Sequence, residues 1–92
     1  MIISFKHKGL ETFFTTGNTK GIQPKHATKL RLILSRLDSA VIVDDVDFQG
    51  ANLHQLKGNL KDHWSVKVNG NWRIIFKFEK GNAEIVDYQD YH

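Results

Sequence analysis

A chain of 92 residues with a formal net charge of +3 is long enough for one small domain around one shared core. Hydrophobic residues make up 40% of the chain and proline occurs once, which is typical of a folded chain and excludes a proline-rich linker. The absence of cysteine excludes disulfide bonds, thiolate nucleophiles and cysteine-bound zinc. We therefore expect a single domain over residues 1–92.

The start of the chain, "MIISFKHKGL", has too short an apolar run for a signal peptide. No stretch approaches the roughly 20 apolar residues that a membrane span needs. Because a chain without cysteine also suits a reducing compartment, the sequence predicts a soluble, cytoplasmic protein.

The first half of the chain predicts one strand and two helices. Residues 2–5 form a short apolar strand candidate, and Gly17 is placed to end a first helix. The apolar residues of that helix are Leu10, Phe13 and Phe14. Pro24 suits the first turn of a second, longer helix. Its apolar residues recur every three or four positions: Ala27, Leu30, Leu34, Leu37 and Val41.

The second half of the chain predicts three strands in which apolar and polar residues alternate. Their apolar positions are Trp64, Val66 and Val68, then Trp72, Ile74, Phe76 and Phe78, then Ala83 and Ile85. The element order is β-α-α-β-β-β. This order predicts an α+β fold, a two-layer sandwich with both helices on one face of a largely antiparallel sheet.

Turn lengths predict how these strands pair. A three-residue loop, Asn69-Gly70-Asn71, keeps the apolar residues of two strands on one face and sets Lys67 opposite Arg73 on the other, where like charges destabilise a sheet. The other predicted pairs are Val68 with Trp72, Val66 with Ile74 and Trp64 with Phe76.

An even loop around Lys80-Gly81 predicts the pairing of the last strand. The predicted pairs are Phe76 with Ile85, Lys77 with Glu84 and Arg73 with Tyr88. This register has one misfit, because it puts Asp87 beside Ile74 on the core side. The face away from the helices is then predicted to hold Lys67, Arg73, Tyr88, Asp90 and His92.

Such a face suits a phosphate. Arginine offers a planar fork to phosphate oxygens, lysine a point charge, and tyrosine a platform for an unstacked RNA base. Cleavage of RNA through its own 2′-hydroxyl needs a base, an acid and charge stabilisation but no metal, and histidine titrates in the right range. His54, with Lys57 three residues on, is a second imidazole. No histidine spacing suggests a metal site, and the remaining histidines are interpreted as structural or solvated: His7, His26 and His63.

The charge pattern favours a polyanion partner, because residues 1–37 carry seven Lys and Arg against one acid and residues 51–82 carry six against two. Residues 38–50 carry four acids and no Lys or Arg. Most runs of charge are simply solvated faces, so the pattern alone does not define a site.

Four stretches of the chain together resemble the HigB toxins of bacterial toxin–antitoxin pairs, within the wider RelE/ParE toxin fold. They are "SFKHKGL" near the start, "LHQLKG" at 53–58, "HWSVKVNGNWRIIF" at 63–76 and the end "DYQDYH". The resemblance implies the RelE-type fold of microbial RNases and a ribosome-dependent endoribonuclease that cuts mRNA in the decoding site. It also implies a helix-turn-helix antitoxin as partner, with operator DNA bound only through that antitoxin, and no cofactor.

The resemblance carries functional positions onto His54, Lys57, Arg73, Asp90, Tyr91 and His92. On these positions we assign His92 as general acid or base with His54 as its partner. Arg73 and Lys57 contact the scissile phosphate in this interpretation, Tyr91 stacks on a base and Asp90 orients. Lys67 and Tyr88 are predicted from the sheet register as further RNA contacts. The ordinary alternatives are a surface acid for Asp90, a core-edge ring for Tyr91 and a solvated lysine for Lys57.

Two other functions stay open from the sequence. A toxin of the same fold can act by binding a protein such as gyrase without cutting RNA, although that activity does not need His54, Arg73 and His92 together. The second alternative is a non-catalytic nucleic-acid-binding module, which the sequence pI of about 9.3 favours.

Overall fold

Two α-helices and a four-stranded antiparallel sheet share one core in the computed structural model, which describes residues 1–90. The helices are α1, Lys8–Thr16, and α2, Ala27–Ser39. The strands, in their order across the sheet, are β1, His54–Gln55; β2, His63–Asn69; β3, Trp72–Glu79; and β4, Asn82–Asp90. This architecture confirms the predicted α+β fold. None of the helices within residues 1–90 is long and apolar enough to cross a membrane.

Helix α1 ends at the residue that its sequence predicts, and a histidine that was not predicted as a cap begins it. His7 precedes the helix, and its Nδ1 accepts the backbone N–H of Leu10 at 3.0 Å, which satisfies one free donor of the first turn. Gly17 ends the helix with φ at 82°, a left-handed conformation that glycine adopts without a steric penalty. Its N–H donates to the Phe13 carbonyl.

Helix α2 is shorter than predicted. Pro24 opens it through a 3-10 turn, Pro24–His26, but the helix ends at Ser39. Val41 was predicted to be the last core residue of the helix, and this prediction is wrong, because Val41 is 75% exposed. The Asp45 carboxylate accepts the N–H groups of Val41 and Ile42 at 2.9 and 3.1 Å and turns the chain out of the helix. These bonds also lower the pKa of Asp45.

The predicted strand at residues 2–5 is reduced to two isolated parallel bridges. Ile2 pairs with Ala83 and Phe5 with Val86, along the edge of β4. The Ile2 N–H donates instead to the Asp38 carboxylate of α2 at 2.9 Å. The first residues therefore tie strand β4 to the helical layer.

The pairing of β2 with β3 confirms most of the predicted register. Val66 lies opposite Ile74, Trp64 opposite Phe76 and Lys67 opposite Arg73. The predicted pair of Val68 with Trp72 is wrong, since Trp72 pairs with Asn69. A bulge between Lys67 and Asn69 takes up the extra residue that the prediction had assigned to the loop.

Strand β4 departs from the prediction at Ile85. Lys77 pairs with Glu84 as predicted, but a bulge follows, and Asp87 comes to lie opposite Ile75. Ile85 has φ at 46°, an unusual value for a β-branched residue. Its N–H donates to the Ser4 hydroxyl at 2.8 Å. The predicted pair of Phe76 with Ile85 is therefore wrong.

The bulge exchanges the two faces of β4 for every later residue. Tyr88 lies opposite Ile74 and is 4% exposed, and Asp90 lies opposite Trp72, so both are on the helix side of the sheet. The predicted pair of Arg73 with Tyr88 is wrong, as is the prediction that Tyr88 and Asp90 share the face of Arg73. The misfit of Asp87 disappears, because its carboxylate moves out of the core.

The left-handed conformation of Ile85 makes it tolerant of glycine. We expect Ile85→Gly to lower the free energy of unfolding by less than about 0.5 kcal/mol, because relief of the positive φ, worth about 1–2 kcal/mol, offsets the lost contacts and the added chain entropy. Chemical denaturation of the variant and the wild-type chain measures this difference in the free energy of unfolding.

Ile3→Gly is the matched control, since Ile3 is 52% exposed against 38% for Ile85 and therefore loses fewer contacts. Its φ is not positive, so we expect a loss of about 1 kcal/mol. A larger loss for Ile85→Gly than for Ile3→Gly contradicts the prediction.

Candidate active site on the open face of the sheet

The face of the sheet turned away from the helices, called the open face below, carries side chains in rows that follow the strand register. The first row is Lys67, Arg73 and Gln89. The second row is His54, Ser65, Ile75 and Asp87. The third row is His63, Lys77 and Glu84. Three of the predicted site residues, His54, Lys67 and Arg73, therefore share this face.

Arg73 is held at the β2–β3 turn. Its Nη1 donates to the Gly70 carbonyl at 2.8 Å and to the Trp72 carbonyl at 3.1 Å. Lys67 is exposed directly opposite. Within residues 1–90, neither cation has an acidic partner, and the Arg73 Nη2 and Nε are without hydrogen bonds. The pair is thus available to an anion such as phosphate.

His54 presents one ring nitrogen to solvent. The side chain is exposed, and its Nδ1 lies 3.0 Å from the Asn52 carbonyl. Because a carbonyl only accepts, Nδ1 carries the proton, and Nε2 of the neutral ring is left with a free lone pair. No residue from 1 to 90 bonds this Nε2. The arrangement suits a general base.

Lys57 lies two residues after the end of β1, just outside the sheet. It is exposed and extended before the 3-10 turn Gly58–Leu60. A shallow depression of about 500 Å³ runs past it. Its lining residues are Gln55, Leu56, Lys57, Gly58, Lys61 and Asp62. Lys61 is a second cation here that sequence reasoning missed, since nothing in a single lysine marks it as a site residue.

Asp90 ends strand β4 at the same end of the sheet as Arg73. Tyr91 and His92 follow it and lie outside the described residues. The roles predicted for these three residues therefore stay predictions.

Tyr88 is buried and cannot stack on an RNA base. Its ring stacks on Trp72, with centroids 4.5 Å apart and an interplanar angle of 30°. Its hydroxyl lies 2.6 Å from Nδ1 of His26, a histidine that is 2% exposed. Burial raises the pKa of Tyr88, and burial followed by the neighbouring Lys25 lowers the pKa of His26. Both side chains are therefore held neutral inside the protein. His26 was interpreted as structural or solvated, and it is structural.

Gln89 occupies the position opposite Arg73 that was predicted for Tyr88. Its Nε2 donates to the Asp87 carboxylate at 2.6 Å. Neither residue was predicted as a site residue, although the misfit of Asp87 in the unbulged register was a signal that the strand contains an extra residue.

The fold and this face define a small α+β protein with a helix-backed sheet, whose open face carries two neighbouring cations and an exposed imidazole. Residues 3–92 match the HigB-like toxin family, described as RelE-like toxin of type II toxin-antitoxin system HigB. The chain belongs to this family, and it is a toxin of a type II toxin–antitoxin system, which implies an antitoxin partner.

Two relatives support this membership along the whole chain. The chain is 41% identical over 92 residues to Endoribonuclease HigB from Proteus vulgaris, covering 100% of both proteins. It is 33% identical over 94 residues to Toxin HigB-1 from Vibrio cholerae serotype O1, covering 100% of this chain and 98% of that protein.

The opposed cations Lys67 and Arg73 make the free fold sensitive to anions. We expect Lys67→Ala to raise the free energy of unfolding by about 0.2–1 kcal/mol, because like charges on facing residues repel. Phosphate should raise the melting temperature of the wild-type chain by binding the folded state, and should raise it less in the variant.

Lys20→Ala is the control, since Lys20 is an exposed lysine in the loop before α2. If it responds to phosphate and changes stability as Lys67→Ala does, the effect is one of net charge and the pair is not an anion site.

Proposed function

We propose that the chain is a ribosome-dependent endoribonuclease that cleaves mRNA in the decoding site and so inhibits translation and growth. The Proteus vulgaris relative is named an endoribonuclease, and we assign that activity to this chain. One observation carries the proposal: His54 and Arg73 share the open face, and within residues 1–90 the His54 Nε2 and two guanidinium nitrogens of Arg73 have no hydrogen-bond partner and Arg73 has no acidic partner.

These groups fit cleavage by the 2′-hydroxyl of the RNA itself. The His54 Nε2 takes the hydroxyl proton as general base, the oxygen attacks the adjacent phosphorus, and the 5′-oxygen leaves with a proton from a general acid. Arg73 and Lys57 stabilise the charge on the phosphate oxygens. We assign the general acid to His92, base stacking to Tyr91 and an orienting role to Asp90, as the family resemblance implies. In the alternative assignment, His92 is the general base and His54 is the general acid.

The partners follow from this activity. We propose a HigA-like helix-turn-helix protein as the antitoxin, the surface of 16S rRNA and mRNA as the contacts on the ribosome, and operator DNA bound only through the antitoxin. Production of the chain alone should arrest growth, because free toxin then reaches the ribosome.

Cleavage of ribosome-bound mRNA tests the proposal. The purified chain is incubated with ribosomes programmed with mRNA, with the same mRNA free, and with mRNA that carries a 2′-deoxynucleotide before the scissile phosphate. We expect cuts only on the ribosome, none at the deoxy position, and products with a 2′,3′-cyclic phosphate. Cuts at the deoxy position contradict 2′-hydroxyl attack. Growth arrest without any RNA cleavage favours a toxin that binds a protein target, and RNA binding without either favours the non-catalytic module.

Loss of either imidazole should slow the reaction. We expect His54→Ala and deletion of His92 each to lower the single-turnover cleavage rate by roughly 10²–10⁴, because each removes one proton-transfer group. Ribosome binding and the melting temperature of His54→Ala should stay near those of the wild-type chain, since the His54 side chain is exposed and supports little core.

His63→Gln is the matched control, because His63 lies on the same face of β2 in the third row and has no assigned role. If deletion of His92 leaves the cleavage rate at the wild-type value, the proton transfers must be assigned to His54 and its neighbours. A wild-type rate in His54→Ala would remove His54 from the mechanism.

A further inference from the structure

His26 and Tyr88 join the start of helix α2 to the end of strand β4. The two residues are 62 positions apart, and the Tyr88 hydroxyl lies 2.6 Å from the His26 Nδ1. The Gln23 N–H, in the turn before α2, also donates to the Tyr88 oxygen at 3.4 Å. Because the phenol oxygen accepts this N–H, its own proton is free to be donated to His26.

Three aromatic contacts hold the same tyrosine. Its ring stacks on Trp72 of β3 at 4.5 Å and meets His7, the cap of α1, edge to face at 5.4 Å. The third contact is with the His26 ring, edge to face at 6.1 Å, and His26 also meets Trp72 at 5.6 Å. Trp72 is the register partner of Asp90. The cluster therefore lies directly under the point where the sheet reaches Asp90.

If His26 and Tyr88 served packing alone, a polar pair would cost the fold more stability than an apolar one. The His26 Nε2 is buried and finds no hydrogen-bond partner within residues 1–90. A buried polar atom without a partner destabilises a fold, and replacement of both partners of a buried polar pair by apolar groups is often neutral or stabilising. A leucine and a phenylalanine would fill the same volume without an unmet donor.

We propose that His26 and Tyr88 are positioning residues for RNA cleavage, whose hydrogen bond fixes the end of β4 and with it Asp90. This inference rests on the proposed function. A shift of about 1 Å in a reacting group is enough to cost a large part of the rate, while ribosome binding through the cations of the open face is untouched.

Variants of the full chain separate this role from a structural one. In the single-turnover assay on programmed ribosomes, we expect Tyr88→Phe and His26→Leu each to lower the cleavage rate about tenfold, with unchanged affinity for ribosomes. The double variant should lose no more than either single one, because both remove the same bond. Its melting temperature should equal or exceed that of the wild-type chain, whereas a merely structural pair predicts lower stability.

His26→Asn is the conservative variant, since its Oδ1 can accept the Tyr88 hydroxyl as Nδ1 does, and we expect it to restore most of the rate. Phe13→Leu, a core change in α1, controls for loss of stability and should keep the wild-type rate. Wild-type rates in Tyr88→Phe and His26→Leu overturn the proposal, as do losses that only follow the fraction of unfolded protein. If the wild-type chain itself cleaves no ribosome-bound mRNA, the proposed function fails first.

Discussion

One extra residue in strand β4, at Ile85, decides on which face of the sheet the side chains of residues 87–90 lie. Without it, period two places the Asp87 carboxylate against Ile74 in the core, and desolvation of an unpaired carboxylate costs several kcal/mol. The bulge replaces that cost with one residue at positive φ, worth about 1–2 kcal/mol. The Ser4 hydroxyl lowers the free-energy cost of the bulge further by accepting the Ile85 N–H. The bulged strand therefore has the lower free energy, and Tyr88 lies in the core in place of Asp87.

The bulge also separates two tasks between the two faces. On the helix side, Tyr88 and Trp72 anchor the end of β4 to the first turn of α2 through His26. On the open face, Asp87 is occupied by the Gln89 amide and by the N–H of Tyr88. That acid is therefore not paired with Arg73, whose guanidinium, among residues 1–90, is held only by carbonyl groups of the turn. No acid in the described part of the chain neutralises Arg73 or Lys67, which leaves both charges to an anion.

The sequence predicted the parts of this arrangement that depend on local pattern. The alternation in β2 and β3 gave the pairs Val66 with Ile74 and Lys67 with Arg73, because a shift of one residue would have exposed an entire apolar set. The bulge at Ile85 depends on Ser4, 81 residues away, and the place of Tyr88 depends on His26, 62 residues away. Contacts at such separations leave no periodic signal. The end of α2 was missed for a similar reason, since a side-chain bond from Asp45 overrides the apolar spacing that reaches Val41.

The geometry of the open face bears on why the ribosome would be needed. His54 lies on the edge strand, two strands and one row away from Arg73, which places their Cα atoms roughly 12 Å apart. The Arg73 guanidinium turns further toward the Gly70 carbonyl, at the end of the sheet where β4 reaches Asp90. The proposed reaction therefore needs one nucleotide linkage to be oriented between groups that the fold keeps separate. Free mRNA loses conformational entropy when it is ordered in this way, whereas mRNA held in the decoding site has already lost it. A widely spaced, rigid set of groups thus gains most from a substrate that another particle has ordered.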